Sequence, residues 1–317
     1  MLGRGLDPDN EDFVMTVGPY IATSGGYIAA PPFAHRGAVL HGMLLQGTKS
    51  AQQSLIDATL NRRPGLRFEA VSSLVLLTAL YVDEVTSQDP LWADRGVTSE
   101  IDIGFWVLVK GGRPGADAMR WHPIGLFVDS APALAIGREI YGFPKHLAEV
   151  QRPAAPSNSD PTVKVRMDAF PKFGPQARPQ RCTVVDIAVA APAEAKAEEL
   201  SFTEAQLQQE LSDAMSGGVL PLAVLPPYFG MPQVYLKQFR DITDPSLACY
   251  QSVTVADMRL EKLHGMGRLP GHLTVQIPRL DSINIGRDLG LPETSAPVGP
   301  AFWIGFDFIA DAGAELD

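Results

Sequence analysis

The stretch Gly137-Arg138-Glu139-Ile140-Tyr141-Gly142-Phe143-Pro144-Lys145-His146-Leu147 sets the tightest local constraint on how this chain can fold. It reads as the end of a helix followed by an enforced stop. Ala133, Ile136, Gly137 and Ile140 recur at i, i+3, i+4 and i+7, which gives one small, apolar helical face. Ser130 is placed to cap that helix, and Pro132 falls in its first turn, where a missing N–H does little harm. Gly142 is placed to end the helix in the left-handed region, and Pro144 prevents it from resuming. Phe143, preceding a proline, is biased to extended geometry. Lys145 therefore leaves a rigid corner flanked by Phe143 and Leu147.

Strand patterns lie on both sides of this corner. Val71 to Val85 is a long apolar stretch rich in β-branched residues and reads as a buried strand. Val97 to Val109 alternates: Thr98, Glu100, Asp102, Gly104 and Trp106 share one face, Ser99, Ile101, Ile103, Phe105 and Val107 the other. Trp121 to Val128 reads as the strand feeding the central helix, and Leu147 to Gln151 as one leaving it. Further strands are expected at Val163–Ala169, Thr183–Val189, Gln233–Phe239, Cys249–Arg259, His272–Ile277 and Phe302–Ile309. A helix capped by Thr48 or Ser50 is expected to run through Asn61, and Ser201-Phe202-Thr203-Glu204 is a capping box opening another. Residues 1–19 read as an N-terminal arm and Tyr20–Ala30 as a hairpin turning at Gly25-Gly26. With 29 glycines and 27 prolines breaking the chain into short elements, and strands on both sides of the corner, the expectation is one β-rich α+β domain over 20–317.

Charge and composition exclude some partners. A net charge of −10 disfavours nucleic acid and anionic membranes, and no segment has the apolar length of a membrane span. The first twelve residues carry no apolar signal core, so a cytoplasmic protein is expected. Cys182 and Cys249 are far apart, which fits buried free thiols in a reducing compartment. The histidines show no metal-ligand spacing, and no nucleotide fingerprint is present.

The Arg138-Glu139 pair followed by Phe143-Pro144-Lys145 resembles the active-site segment of the acetoacetate decarboxylase family, whose lysine forms a Schiff base with a keto acid. A looser similarity covers Tyr81 to Trp106, Gln233 to Thr254 and Ala301 to Ile309. The resemblance implies a mostly antiparallel β-barrel or cone with a few peripheral helices outside and a buried pocket. It makes Lys145 the Schiff-base lysine, Glu100 the match to the family's active-site glutamate, and Glu84 the match to a second acid. Phe33-Ala34-His35-Arg36 resembles a stretch that supplies an arginine, which points to Arg36. Phe143 and His146 flank the lysine and join the substrate-binding candidates. Arg138 is either a helix-end charge or an anchor for a substrate carboxylate. The activity implied is decarboxylation of a small β-keto acid, or condensation of a 2-keto acid with an aldehyde and loss of water on the same lysine; a non-catalytic binding protein on this fold is a third reading. The covalent lysine needs no metal or dissociable cofactor, and a homo-oligomer is expected.

One residue departs from the family pattern. The decarboxylases usually carry a second lysine directly after the reactive one, and here that position is His146. A lysine attacks a ketone only when neutral, and its ordinary pKa near 10.4 leaves about one part in a few thousand neutral at pH 7. Burial is the general way to lower that value; desolvation or a cationic neighbour is how lysine is activated in acetoacetate decarboxylase, the standard example of the rule. Phe143, Pro144 and Leu147 are apolar, so burial is expected to outweigh any charge on His146. His146→Ala is then expected to leave the pH dependence of Lys145 acylation unmoved. A rise of more than one pKa unit in the variant would make a charged His146 the cause.

Overall fold

The computed structural model describes residues 20–21, 28–116, 118–153, 160–191, 209, 232–299 and 301–316. The N-terminal arm, the Gly25-Gly26 turn and the Ser201 capping box lie outside the described residues.

Strands dominate. The larger sheet has eleven strands among the described residues. They are β1 (Phe33–Gln46), β2 (Arg67–Ala70), β3 (Leu74–Ser87), β4 (Thr98–Gly112), β5 (Met119–Val128), β6 (Lys145–Leu147), β10 (Gln233–Arg240), β11 (Ala248–Ala256), β12 (Met258–Arg268), β15 (Phe302–Ala310) and β16 (Ala314–Glu315). The smaller sheet contains β7 (Glu149–Gln151), β8 (Val163–Ala169), β9 (Gln180–Ala191), β13 (His272–Gln276) and β14 (Thr294–Ser295). The large sheet runs β12-β15-β1-β3-β4-β5-β10-β11-β16, with β2 on β4 and β6 on β5. Its pairs are antiparallel except those of β5 with β6 and β10. Helices are few: α1 (Lys49–Ala58), α2 (Ala131–Ile136) and α3 (Ile285–Asp288), with a 3₁₀ turn at Leu60–Arg62 and a π-turn at Gly137–Tyr141. None of the described helices is long and apolar enough to cross a membrane.

Both faces of the large sheet are covered, which explains why its central strands read as near-continuous apolar runs. On one face Met43, Leu77, Ile103 and Phe105 pack with Val165, Val185 and Val275 of the small sheet. On the other, Leu40, Leu76, Leu80 and Trp106 pack with Phe302, Phe306 and Phe308. Trp106 satisfies its indole N–H at the Thr78 hydroxyl, 2.9 Å away. Among the described residues the ladder is not closed: β12 ends it on one side and β16 on the other, so the barrel or cone of the resemblance appears here as an open sheet.

Several boundaries differ from the sequence pattern. The single strand expected over Cys249–Arg259 is two, broken at Asp257, and β12 joins the opposite end of the sheet order from β11. The strand expected over Leu147–Gln151 is divided at Ala148, where the chain passes from the large sheet to the small one. The first helix ends at Ala58 and tightens into the 3₁₀ turn; the Thr48 hydroxyl donates to the Gly290 carbonyl instead of capping it. Cys249 is exposed and Cys182 half-buried, contrary to the expected burial. Cys249 sits where the β10–β11 hairpin extends beyond the core, as the exposed start of β11 shows.

The fold buries His122 on β5, where its ring N–H at Nδ1 donates to the Val234 carbonyl at 2.9 Å. Burial pushes its pKa down to about 4, against the opposing effect of that hydrogen bond. The folded state thus keeps His122 neutral while the unfolded chain binds a proton below about pH 6.5. Its contribution is complete above that value and falls as the pH drops towards 4, by up to about 1.4 kcal/mol per pH unit. His122→Gln, which keeps a donor and does not titrate, is expected to flatten the slope of unfolding free energy against pH by about that amount. Denaturant unfolding from pH 8 to 5 measures it; parallel slopes in the two proteins would contradict the assignment.

Candidate active site

The corner around Gly142 forms as its residues dictate, with one difference. Ser130 Oγ accepts from the Ala133 N–H at 3.4 Å, and Pro132 lies in the first turn of α2. The last turn then widens into a π-turn, in which the Gly137 carbonyl accepts from both Gly142 N–H and Phe143 N–H at 3.0 Å. Gly142 is left-handed, with φ 90° and ψ 20°. A Cβ there would also lie 2.6 Å from Cβ of Lys237, so a side chain is excluded by space as well as by backbone angle. The chain leaves this turn extended and β6 pairs parallel with β5, placing Lys145 opposite Leu126.

Lys145 is buried, with 4% of its surface exposed. Its Nζ lies 3.1 Å from Oδ2 of Asp102 and 3.8 Å from Oε2 of Glu100. Both acids come from β4, where alternation puts them on one face. Oε1 of Glu100 in turn lies 3.9 Å from Nε2 of His35 on β1. The ring of Phe143 packs 5.3 Å from the lysine nitrogen. Phe33, Val85, Ile136, Met258 and Phe308 complete an otherwise largely apolar cavity, and Tyr141 adds its ring while its hydroxyl donates to the Asp311 carbonyl at 2.9 Å. Among the described residues lining this cavity, Lys145 is the one permanent cation.

The electrostatics differ from the sequence expectation. Burial is the largest single effect on Lys145 and pushes its pKa down, but the adjacent carboxylates of Asp102 and Glu100 push it up and together prevail. The resting lysine is therefore held as an ammonium, and making it an amine requires moving its proton within the site. His35 behaves oppositely. Its Nδ1 lies 3.2 Å from the Phe33 carbonyl, which can only accept, so Nδ1 carries the hydrogen and Nε2 presents a lone pair to Glu100. Burial, aided by the Lys145 charge, pushes its pKa down to about 3, and its ring stacks on Phe308 with centroids 4.1 Å apart. His35 is thus neutral across the physiological range.

Of the residues singled out in the sequence, the structure brings together Lys145, Glu100 and Phe143. His146 is half-buried in a separate open groove with Arg138, Leu236 and Gln238, because consecutive strand residues point apart. Burial and the neighbouring Arg138 lower its pKa. Arg138 donates to the Lys145 carbonyl at 3.1 Å, steadying that backbone from outside the cavity. Arg36 pairs with Glu261, and Glu84, opposite Arg36 on β3, is exposed; neither reaches the cavity. The residue that does is His35, one position before Arg36. A two-residue period from Phe33 could have indicated it, had β1 been recognised as a strand.

No family model and no curated protein matches the chain. Solved structures do. Acetoacetate decarboxylase from Legionella pneumophila aligns over 100% of this chain and 98% of its own, with a TM-score of 0.60 at 14% identity. This chain has the acetoacetate decarboxylase fold. An acetoacetate decarboxylase-like enzyme from Sphingomonas wittichii aligns over 96% of this chain and 98% of its own, with a TM-score of 0.55 and 12% identity. The enduracididine biosynthesis enzyme MppR in complex with pyruvate aligns over 93% of both chains, with a TM-score of 0.56 and 12% identity. At such identity the likeness is one of fold.

Within this acetoacetate decarboxylase fold, Gly137 sets where the lysine runs. A Cβ there would lie 2.6 Å from Cδ of Lys145 and 2.9 Å from Cε, while its φ of −61° suits any residue. Gly137→Ala is expected to displace the flexible lysine and not the backbone. The helix-propensity gain is under about 1 kcal/mol, so folding stability should fall on balance, because Lys145 loses its contact with Asp102 and a buried ion pair is broken. Acylation of Lys145 is then expected to extend to lower pH in the variant, since the carboxylate no longer holds the ammonium. An unmoved profile would show that the slot has no such role.

Proposed function

We propose that this protein is a Schiff-base lyase that decarboxylates a small β-keto acid such as acetoacetate on Lys145. The observation that carries the reading is the buried Lys145 amine, 3.1 Å from Asp102 and 3.8 Å from Glu100 in an otherwise largely apolar cavity. An exposed lysine of ordinary surroundings would have favoured a binding protein. Charges are rarely buried without cause, and paired titratable groups in a cleft mark functional sites more often than the average surface.

The chemistry balances as follows. The amine of Lys145 attacks the ketone carbon, forming a C–N bond as the carbonyl pair moves to oxygen. The carbinolamine oxygen takes protons and leaves as water, giving an iminium. The bond to the carboxylate then breaks, its electron pair enters the iminium, and carbon dioxide departs from a neutral enamine. A proton added at carbon restores an iminium, and water releases the ketone and Lys145. One proton is consumed per turnover. The electron sink is the iminium itself, so the reading calls for no metal or dissociable cofactor.

A second reading, an aldolase-dehydratase acting on a 2-keto acid, draws on MppR, whose structures contain pyruvate and the condensation product of pyruvate and imidazole 4-carboxaldehyde. That product retains its carboxylate, which calls for a fixed cation. Arg138 and Arg36 lie outside the cavity, and the acids around Lys145 repel an anion. Acetoacetate enters as an anion too, but repulsion by these acids favours loss of its carboxylate as carbon dioxide, whereas the condensation must retain one, so decarboxylation fits the geometry better.

Acetoacetate with borohydride is expected to add an irreversible mass on Lys145, located by peptide mass spectrometry, and Lys145→Ala to abolish both the label and turnover. Labelling confined to other lysines would overturn the Schiff-base reading. Pyruvate run in parallel separates the two chemistries by the product formed.

A further inference from the structure

We propose that Asp102 and Glu100 divide the proton work of the site: Asp102 carries the proton between the Lys145 nitrogen and the carbinolamine oxygen, and Glu100, backed by His35, delivers the proton to carbon. The inference rests on the Schiff-base reading and adds roles to it.

Exposure separates the two acids. The Asp102 side chain is 2% exposed and that of Lys145 5%, whereas Glu100 is 12% exposed. Asp102 is sealed beside the lysine nitrogen at 3.1 Å, so its proton traffic is with Lys145 and whatever is bonded to it. In the imine-forming half reaction that suffices. Asp102 accepts a proton from the ammonium and frees the amine. It then protonates the carbinolamine oxygen as the C–O bond breaks and water leaves. Ammonium and ketone become iminium and water, and Asp102 ends as the carboxylate it began as.

Protonation at carbon has a different requirement. It consumes a proton in every turnover, so its donor must be reloaded from solvent. Glu100 has that access. Its Oε1 also faces the Nε2 lone pair of His35 at 3.9 Å, beyond hydrogen-bond distance for two acceptors at rest. A protonated Glu100 carboxyl is the donor that such an acceptor suits. His35 is held in this tautomer by the Phe33 carbonyl and in place by Phe308. Two carboxylates on one strand thus acquire separate tasks from their surroundings, as in other acid–base pairs.

The test separates proton transfer from simple charge. The titratable groups facing Lys145 are Asp102 and Glu100 from β4 and His35 from β1; β3, β12, β15 and α2 contribute apolar side chains to this cavity, and the Tyr141 hydroxyl is engaged by Asp311. In Asp102→Asn the lysine loses a partner that holds it protonated. Its acylation by acetic anhydride, which needs only a neutral amine, is expected to shift to lower pH and become faster at pH 7. Imine formation with acetone, trapped by borohydride, is expected to slow by about 10²–10⁴-fold, the usual contribution of a positioned acid–base group. In Glu100→Gln imine formation is expected to stay within about tenfold of the unaltered protein, while acetoacetate turnover falls by about 10²–10⁴-fold. Asp102→Ser, equally unable to take the lysine proton, replaces the asparagine variant should that one fail to fold. If acylation and imine formation accelerate together in the Asp102 variant, or neither changes, Asp102 is not the carrier and the division is overturned, with the Schiff-base reading intact. If the unaltered protein traps no ketone on Lys145, the Schiff-base reading fails and takes this inference with it.

Discussion

A buried ammonium cannot stand alone. Removing either member of a buried ion pair costs about 3–5 kcal/mol, because the partner is left uncompensated, and Lys145 is enclosed by apolar side chains on most sides. Its contact with Asp102 and Glu100 therefore ties β6 to β4 across β5, which pairs with both. Much of the local architecture serves that contact. The π-turn brings Lys145 out at the right height, Gly137 leaves a slot for its methylenes, and Arg138 holds its carbonyl from behind.

The same contact separates two ways of making a lysine reactive. Desolvation alone would favour the neutral amine. Paired with carboxylates, the lysine rests as an ammonium. Burial still matters, because it excludes bulk water and confines the ammonium proton to a few named groups. His146, at the position where the decarboxylases usually carry a second lysine, faces away from the cavity, into the groove with Arg138.

The large sheet makes such a site practicable by being covered on both faces. One face packs on the small sheet and forms a dry core. The other is largely apolar, as at Phe306 and Trp106, and carries its charged groups where Glu100 and Asp102 approach Lys145. The charges of that cluster compensate one another, the Lys145 ammonium lying 3.1 Å from Asp102 and 3.8 Å from Glu100.

The parts legible in the sequence were those governed by local chemistry. Ser130, Pro132, Gly142 and Pro144 specify a helix start and stop through backbone hydrogen bonding and allowed angles, and alternation alone places Glu100 and Asp102 on one face of β4. β1 was not legible: its run is interrupted by His41 and Gly42, which are buried only because Tyr81 and Phe302 of other strands pack against them. Nor was β12, a charged edge strand whose partner β15 lies some forty residues further along the chain. Alternation from Phe33 puts His35 and not Arg36 on the cavity face of β1, but only the assembled sheet shows that this face meets Glu100 and Lys145. The direction of the Lys145 pKa is likewise a sum over groups from distant parts of the chain. Its sequence neighbours show only that it is surrounded by apolar residues; the distances to Asp102 and Glu100 that reverse the effect of burial exist only once β4, β5 and β6 are side by side.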